Sequence, residues 1–258
     1  MKKALSLILS LAMVFALCAC GTTQDQDTTT PPPASDGETT YDTANLTYSI
    51  NGTSTSIEAQ VANLFKERIE EATNGSITVT IYTDAQLAGG DLSASVEAAQ
   101  SGVMDIYCAD TSVIAALDPT GGEYISNALK DYNLTYATYA HNGLQCLTCS
   151  KIQLDTPENF KNIKIRISGT QLNIDMYTAL GADPSALNWS ETYTALQNGT
   201  YDAQSNSPAT IKSGNIQEVQ NYLTVSRHTY GAFLISFYTP TFESFNEATQ
   251  ELLMTTLQ

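Results

Sequence analysis

Two strand-helix-strand successions with short connections, packed into residues 46–108, limit what this chain can become more than any other feature. Leu46 to Ile50 alternates as a short strand. Thr55 and Glu58 have capping-box spacing, and Ile57, Val61, Leu64, Phe65 and Ile69 then follow at helical intervals up to Asn74-Gly75. Ser76 to Tyr82 places Ile77, Val79 and Ile81 on one face of a second strand. Gly89-Gly90-Asp91 opens a further helix through Leu92, Val96 and Ala99 to Gly102, and Met104 to Cys108 is its strand. Such repeated units build parallel sheets covered by helices, so the class is α/β. Gly-Gly-Asp can offer N–H groups to an anion, but capping is the commoner use.

Further along, Pro119, Gly121 and Gly122 mark a turn, and the tyrosine-rich stretch from Tyr124 to Tyr139 is expected to be helical. Gly143 to Ser150 is apolar enough for a strand, read as a crossover between domains. Gln171 to Leu180 has helical spacing and stops at Gly181, while Ser190 is the expected N-cap of a helix from Glu191 to Gln197, ended by Gly199. Tyr201 to Asn206 runs on extended. Val219 to Val225 holds a short apolar segment, and Tyr230 to Tyr238 is a strongly apolar strand that returns the chain to the first domain. From Thr241 one more helix is expected, and with no cap or breaker before Gln258 the sequence reads as if it continues.

In Ile163-Lys164-Ile165-Arg166-Ile167 the isoleucines share one strand face and Lys164 and Arg166 the other. For a lone strand arginine a solvated face is the ordinary reading. Arg166 and Asn206, however, both come at or just past strands of one alternating α/β unit, and ligands of open α/β sheets bind beyond the carboxyl ends of strands.

Lys2 and Lys3 precede an uncharged apolar run from Ala4 to Leu17, too short for an ordinary membrane span and read as an export signal. From Thr22 to Thr40 the chain is Thr, Pro, Asp and Gln with almost nothing apolar, a flexible tether. The formal net charge is −16, and loss of the signal removes Lys2 and Lys3 and no acid. That surface argues against nucleic acid or anionic lipid as partners, and any anion site must be a local exception built from Arg, Lys and backbone N–H groups. Cys146 and Cys149 invite a metal or redox reading, yet no second pair stands at ligand spacing and His141 and His228 are the only histidines. Plain strand cysteines, or a disulfide allowed outside the cell, remain. No nucleophile or triad pattern is present, so an enzyme is not expected, nor a cofactor.

Several segments together carry a likeness. Pro157 to Arg166 (PENFKNIKIR), Ala179 to Pro184 (ALGADP), Glu191 to Gly199 (ETYTALQNG) and Tyr201 to Asn206 (YDAQSN) stand in an order and spacing that resembles the extracytoplasmic solute-binding proteins of tripartite ATP-independent periplasmic (TRAP) transporters. Thr73 to Val79, Gln86 to Gly90 and Gln100 to Ile106 add to the resemblance, which spans most of residues 44–258. It implies an α/β, two-domain periplasmic-binding-protein-like fold with crossover hinge strands and a cleft between the domains. The division would be 44–142 for the first segment of domain one, 143–150 for the hinge strand, 151–222 for domain two, and 223–258 for the return strand and the start of a long helix. Leu17-Cys18-Ala19-Cys20-Gly21 likewise resembles a lipoprotein signal, with 1–19 removed, Cys20 lipidated and 20–43 the tether; the alternative is a simple signal cut nearby.

By that resemblance Arg166 forms a two-pronged salt bridge with a ligand carboxylate, Asn206 helps fix it, and Gln204, Tyr193, Tyr230, Gln145 and Trp189 line the site. Core packing accounts at least as well for Trp189 and Tyr201, while Tyr193 and Tyr230 sit in segments that resemble the family's cleft walls. Guanidinium suits planar two-point capture of a carboxylate, and burial strengthens the pair. The implied function is a lipid-anchored receptor that binds a small carboxylate and hands it to a small and a large membrane subunit. A binding protein of an ATP-driven transporter, or a sensing surface lipoprotein, is the alternative. Gln145 stands where many relatives carry a second Arg, which favours a monocarboxylate or neutral-tailed acid over a dicarboxylate.

Overall fold

The computed structural model describes residues 39–111 and 129–258. The signal, Cys20 and most of the tether lie outside the described residues, as do the expected turn at Pro119 to Gly122 and the start of the Tyr124 to Tyr139 segment.

The first strand, β1 (Ala44–Ile50), leads to α1 (Ile57–Ala72), β2 (Ile77–Tyr82), α2 (Leu92–Gln100) and β3 (Ile106–Asp110). β1 pairs in parallel with both β2 and β3, as two crossover units require. Ser56, not Thr55, caps α1, its hydroxyl accepting from the Ala59 N–H at 3.2 Å. Glu58 therefore sits one place too early to close a capping box, and it is buried instead. The Thr55 hydroxyl turns to the Ser213 carbonyl, 3.3 Å away. Asp91 caps α2 as expected.

The tyrosine-rich segment is helical only at Leu129 and Lys130 among its described residues, and from Leu134 it is a strand instead, for Leu134–Leu144 forms the eleven-residue β4. Tyr132, Tyr136 and Tyr139 mimic a helical period, but Thr and Tyr fit a pleated surface better and the segment pairs along almost its whole length with a later strand. After Gln145 the chain enters β5 (Cys146–Cys149), which belongs to a second sheet, so the expected single strand from Gly143 to Ser150 is divided between two sheets. β6 (Lys164–Ile167), α3 (Gln171–Ala179), β7 (Asp183–Ala186), α4 (Trp189–Gln197), β8 (Ala203–Asn206), α5 (Pro208–Ser213) and the edge strand β9 (Tyr222–Thr224) follow. Asn188, not Ser190, begins α4, and Trp189 in its first turn lies against Gly214.

β10 (Tyr230–Tyr238) returns to the first sheet, lying antiparallel between β3 and β4 with register shifts at Gly231/Ala232 and Ile235/Ser236. The single helix expected from Thr241 is two, α6 (Thr239–Ser244) and α7 (Glu247–Leu257), because Asn246 breaks the first and caps the second by accepting from the Thr249 N–H at 2.9 Å.

The strand orders are β2-β1-β3-β10-β4 and β7-β6-β8-β5-β9. Each sheet is covered on both faces. In the first, Tyr48, Phe65, Ile106 and Ile235 form one core and Val96, Met104, Tyr107 and Leu234 the other. In the second, Ile165, Ile167 and Tyr177 lie opposite Leu196, Ile211 and Ile216. The result is an α/β fold of two lobes that the chain crosses at Gln145 and again before Tyr230.

Candidate functional site

β6 builds the site by simple alternation. Ile165 and Ile167 enter one core, and Arg166 between them faces the other way. Arg166 is nevertheless only 4% exposed. Its Nε donates to the Leu187 carbonyl at 2.8 Å, and its Cζ lies 5.6 Å from the centre of the Trp189 ring. Gly214 makes room for that indole, since a Cβ there would stand 2.6 Å from Trp189 Cζ2. Burial pulls the Arg166 pKa down to about 10, while Tyr201 and Asp110 oppose the shift, so the side chain is a cation at neutral pH. The two salt bridges among the described residues, Lys66–Glu70 and Lys151–Asp202, leave it out. A buried guanidinium with no carboxylate beside it is costly to maintain, and an arriving anion would supply the missing charge.

Beside Arg166 in the parallel register lies Gln204, fully buried. Its Nε2 donates to Thr148 Oγ1 at 2.9 Å, and its Oε1 accepts from Asn206 Nδ2 at 2.6 Å. This fixes the Asn206 carboxamide, leaving its Oδ1 and second N–H for other partners. The next residue, Ser207, caps α5 and donates to Asn142 Oδ1 at 2.8 Å, and Thr210 Oγ1 donates to the same oxygen at 3.0 Å. Asn142 is on β4 of the first sheet, and its Nδ2 donates to Asp110 Oδ2 at 3.3 Å. A hydrogen-bonded series thus runs from the carboxyl end of β3 across to the carboxyl end of β8.

The first sheet adds a buried polar group at the same ends of its strands. Asn51 donates to the Tyr107 hydroxyl at 3.1 Å, which also meets Ser95 Oγ at 2.8 Å, and Asn51 Oδ1 has no partner. Burial pushes the Glu58 carboxyl up to about 7; Asp110 adds to the rise, and hydrogen bonds from Ser56 and from backbone N–H groups hold it back.

The structure therefore brings together Arg166, Trp189, Gln204 and Asn206. Tyr193 shares an apolar cluster with Trp189, but its hydroxyl donates to Glu218 at 3.1 Å, and that acceptor raises its pKa. Tyr230 is 56% exposed, and its hydroxyl lies 2.8 Å from His141 Nδ1 on the neighbouring strand. Gln145 sits at the crossover, its backbone N–H donating to the Thr229 carbonyl at 2.7 Å and its side chain against Gly231. Cys108, Cys146 and Cys149 are free and buried, with Cys146 and Cys149 in the cores on opposite faces of the second sheet, so they are plain strand cysteines. Among the described residues no three metal-ligating side chains converge. Sequence reasoning missed Asp110, Asn142, Thr148 and Ser207. The only signal for them was position, at or just past strand ends, and inside strands for Thr148.

The family model described as bacterial extracellular solute-binding protein, family 7, matches residues 48–122 and 118–258. The 2,3-diketo-L-gulonate-binding periplasmic protein YiaO of Escherichia coli is 24% identical over 220 residues, covering 76% of this chain and 66% of its own length. The C4-dicarboxylate-binding protein DctB of Bacillus subtilis is 26% identical over 197 residues, covering 67% of this chain and 56% of its own. The chain thus spans about two thirds or less of these relatives. Among solved structures, the sugar acid binding protein of Advenella mimigardefordensis in complex with galactonate superposes with a TM-score of 0.77 at 21% identity, over 83% of this chain and 76% of that one. That likeness establishes the two-lobed fold, and the sequence match over most of the length establishes kinship: the chain belongs to family 7 of the bacterial extracellular solute-binding proteins.

Proposed function

We propose that this protein is the extracytoplasmic receptor of a TRAP transporter, binding a small carboxylate between its two lobes and delivering it to a small and a large membrane subunit. The observation that carries this reading is the buried Arg166 guanidinium, with Nε held by Leu187, its face on Trp189, and no carboxylate in ion-pair reach among the described residues. With Nε occupied, the two terminal nitrogens supply the fork that a planar carboxylate needs. Asn206, oriented through Gln204 and Thr148, two places beyond the register partner of Arg166, is assigned the second polar contact to the ligand. The work is recognition and release, with no bond made or broken. Family membership supports the reading, as do relatives and neighbours named for diketo-gulonate, C4-dicarboxylates and galactonate.

In the same reading Cys20 carries the lipid, and the polar stretch that follows lets the receptor stand off the membrane it is tied to. Calorimetry of the full-length protein against a panel of organic acids tests the central point. Arg166→Ala is expected to weaken binding about a hundredfold or more, as loss of two charge-assisted hydrogen bonds implies; unchanged affinity would overturn the carboxylate role.

A further inference from the structure

We propose that Asn142 is a positioning residue: from the first lobe it grips α5 of the second, and through α5 it sets the indole on which the Arg166 guanidinium rests. This role rests on Arg166 being the carboxylate anchor and adds that the anchor is completed from across the lobes.

α5 has six residues, and helices shorter than about 12–15 residues are marginal on their own. Side chains of the first lobe hold it at both ends. At its start the Asn142 carboxamide oxygen accepts from Ser207 Oγ at 2.8 Å and from Thr210 Oγ1 at 3.0 Å, which uses both of its lone pairs. The amide nitrogen donates to Asp110 Oδ2 at 3.3 Å and so turns that oxygen toward α5. Ser207 in turn caps the helix, accepting from the Thr210 N–H at 3.2 Å. At the other end, where helix carbonyls lack partners of their own, the Thr55 hydroxyl donates to the Ser213 carbonyl at 3.3 Å. Asn142 is 4% exposed and Ser207 fully buried, so a hydroxyl deprived of its acceptor there is costly.

What α5 touches next is the support of the anchor. Ile211 packs in one core with Leu196 and Ile216, and Trp189 lies against that core. Gly214, directly after the helix, backs the indole so closely that a Cβ would stand 2.6 Å from its Cζ2. The same indole carries the Arg166 guanidinium. Contacts therefore lead from Asn142 through α5 and Gly214 to Trp189 and Arg166. The second lobe owns the cation, but Asn142 and Thr55 of the first lobe steady the helix behind its support.

The test reads Trp189, the only tryptophan of the chain, by acrylamide quenching of the full-length protein with no acid added. Asn142→Ala is expected to raise the quenching constant about twofold or more, since loss of the shared acceptor favours a loosened α5. Thr210→Val removes one donor and spares the cap, and is expected to act in the same direction by a smaller amount. The double variant is expected to match Asn142→Ala alone, because both residues act through one oxygen. An unchanged constant in folded Asn142→Ala overturns the proposal, as does an unchanged constant in Thr210→Val if Asn142→Ala fails to fold. A double variant in which the two effects add overturns it as well. Arg166→Ala tests the anchor separately: succinate or galactonate bound by that variant as tightly as by the wild type removes the carboxylate role and leaves the quenching result standing. Unchanged quenching removes only the part played by Asn142.

Discussion

The Arg166 guanidinium lies over the face of Trp189, Cζ to ring centre 5.6 Å, and Trp189 is the only tryptophan in the chain. The fluorophore therefore touches the charge proposed to receive the ligand. Titration with a bound acid is expected to change tryptophan emission, and the change is expected to vanish in Arg166→Ala. Gly214→Ala, which drives a Cβ into the indole, is expected to alter the unliganded spectrum and weaken binding about tenfold.

Arg166 is also a cost to the empty protein. Replacing buried ion pairs by well-packed apolar groups is often neutral or stabilising by about 1–4 kcal/mol, and a buried charge without a partner has even less Coulombic gain to lose, against about 1 kcal/mol for the hydrogen bond to the Leu187 carbonyl. Arg166→Met is therefore expected to melt no lower than the wild type without ligand and to gain nothing when ligand is added. A calorimetric scan of both proteins in both conditions checks this.

Gln204 joins Thr148 to Asn206 inside the second lobe. Gln204→Leu leaves both partners without their hydrogen bonds, at a cost of about 1–3 kcal/mol in stability, and frees the Asn206 side chain to turn. Denaturant melts and binding titrations of Gln204→Leu, Asn206→Ala and the double variant are expected to be non-additive in affinity, because Gln204 acts through Asn206.

Glu58 supplies a pH signature. Its folded pKa of about 7 lies above the ordinary 4.5, so the folded state binds the proton more tightly than the unfolded chain does. Its contribution is full below about pH 4.5 and is lost as pH rises to about 7, a fall of about 3 kcal/mol. Glu58→Gln is expected to flatten that part of the stability curve in urea melts at several pH values.

Much of this was legible along the chain. The strands around Leu46, Ile77 and Ile163 stand where alternation put them, because a slip of one residue would reverse their buried faces, and that at Tyr230 stands where its apolar run put it. Local signals failed where distant packing decided. The spacing of Tyr132, Tyr136 and Tyr139 imitates a helix, but β10 was available to pair with them. Ser56 displaced Thr55 as the cap while Thr55 reached Ser213, 158 positions away. Arg166 was readable from its strand and Asn206 from the family pattern. Asp110 and Asn142 were not, since they are 32 positions apart and meet only once β3 and β4 flank β10.

The contacts that bind one lobe to the other at Asn142, Ser207, Thr210 and Thr55 join neutral groups only. Dissolved salt screens separated charges over about 10 Å at 0.1 M, and it does little to dipoles that touch. Those contacts therefore hold nearly as well in brine as in fresh water, while ionic strength acts on the acidic surface around them.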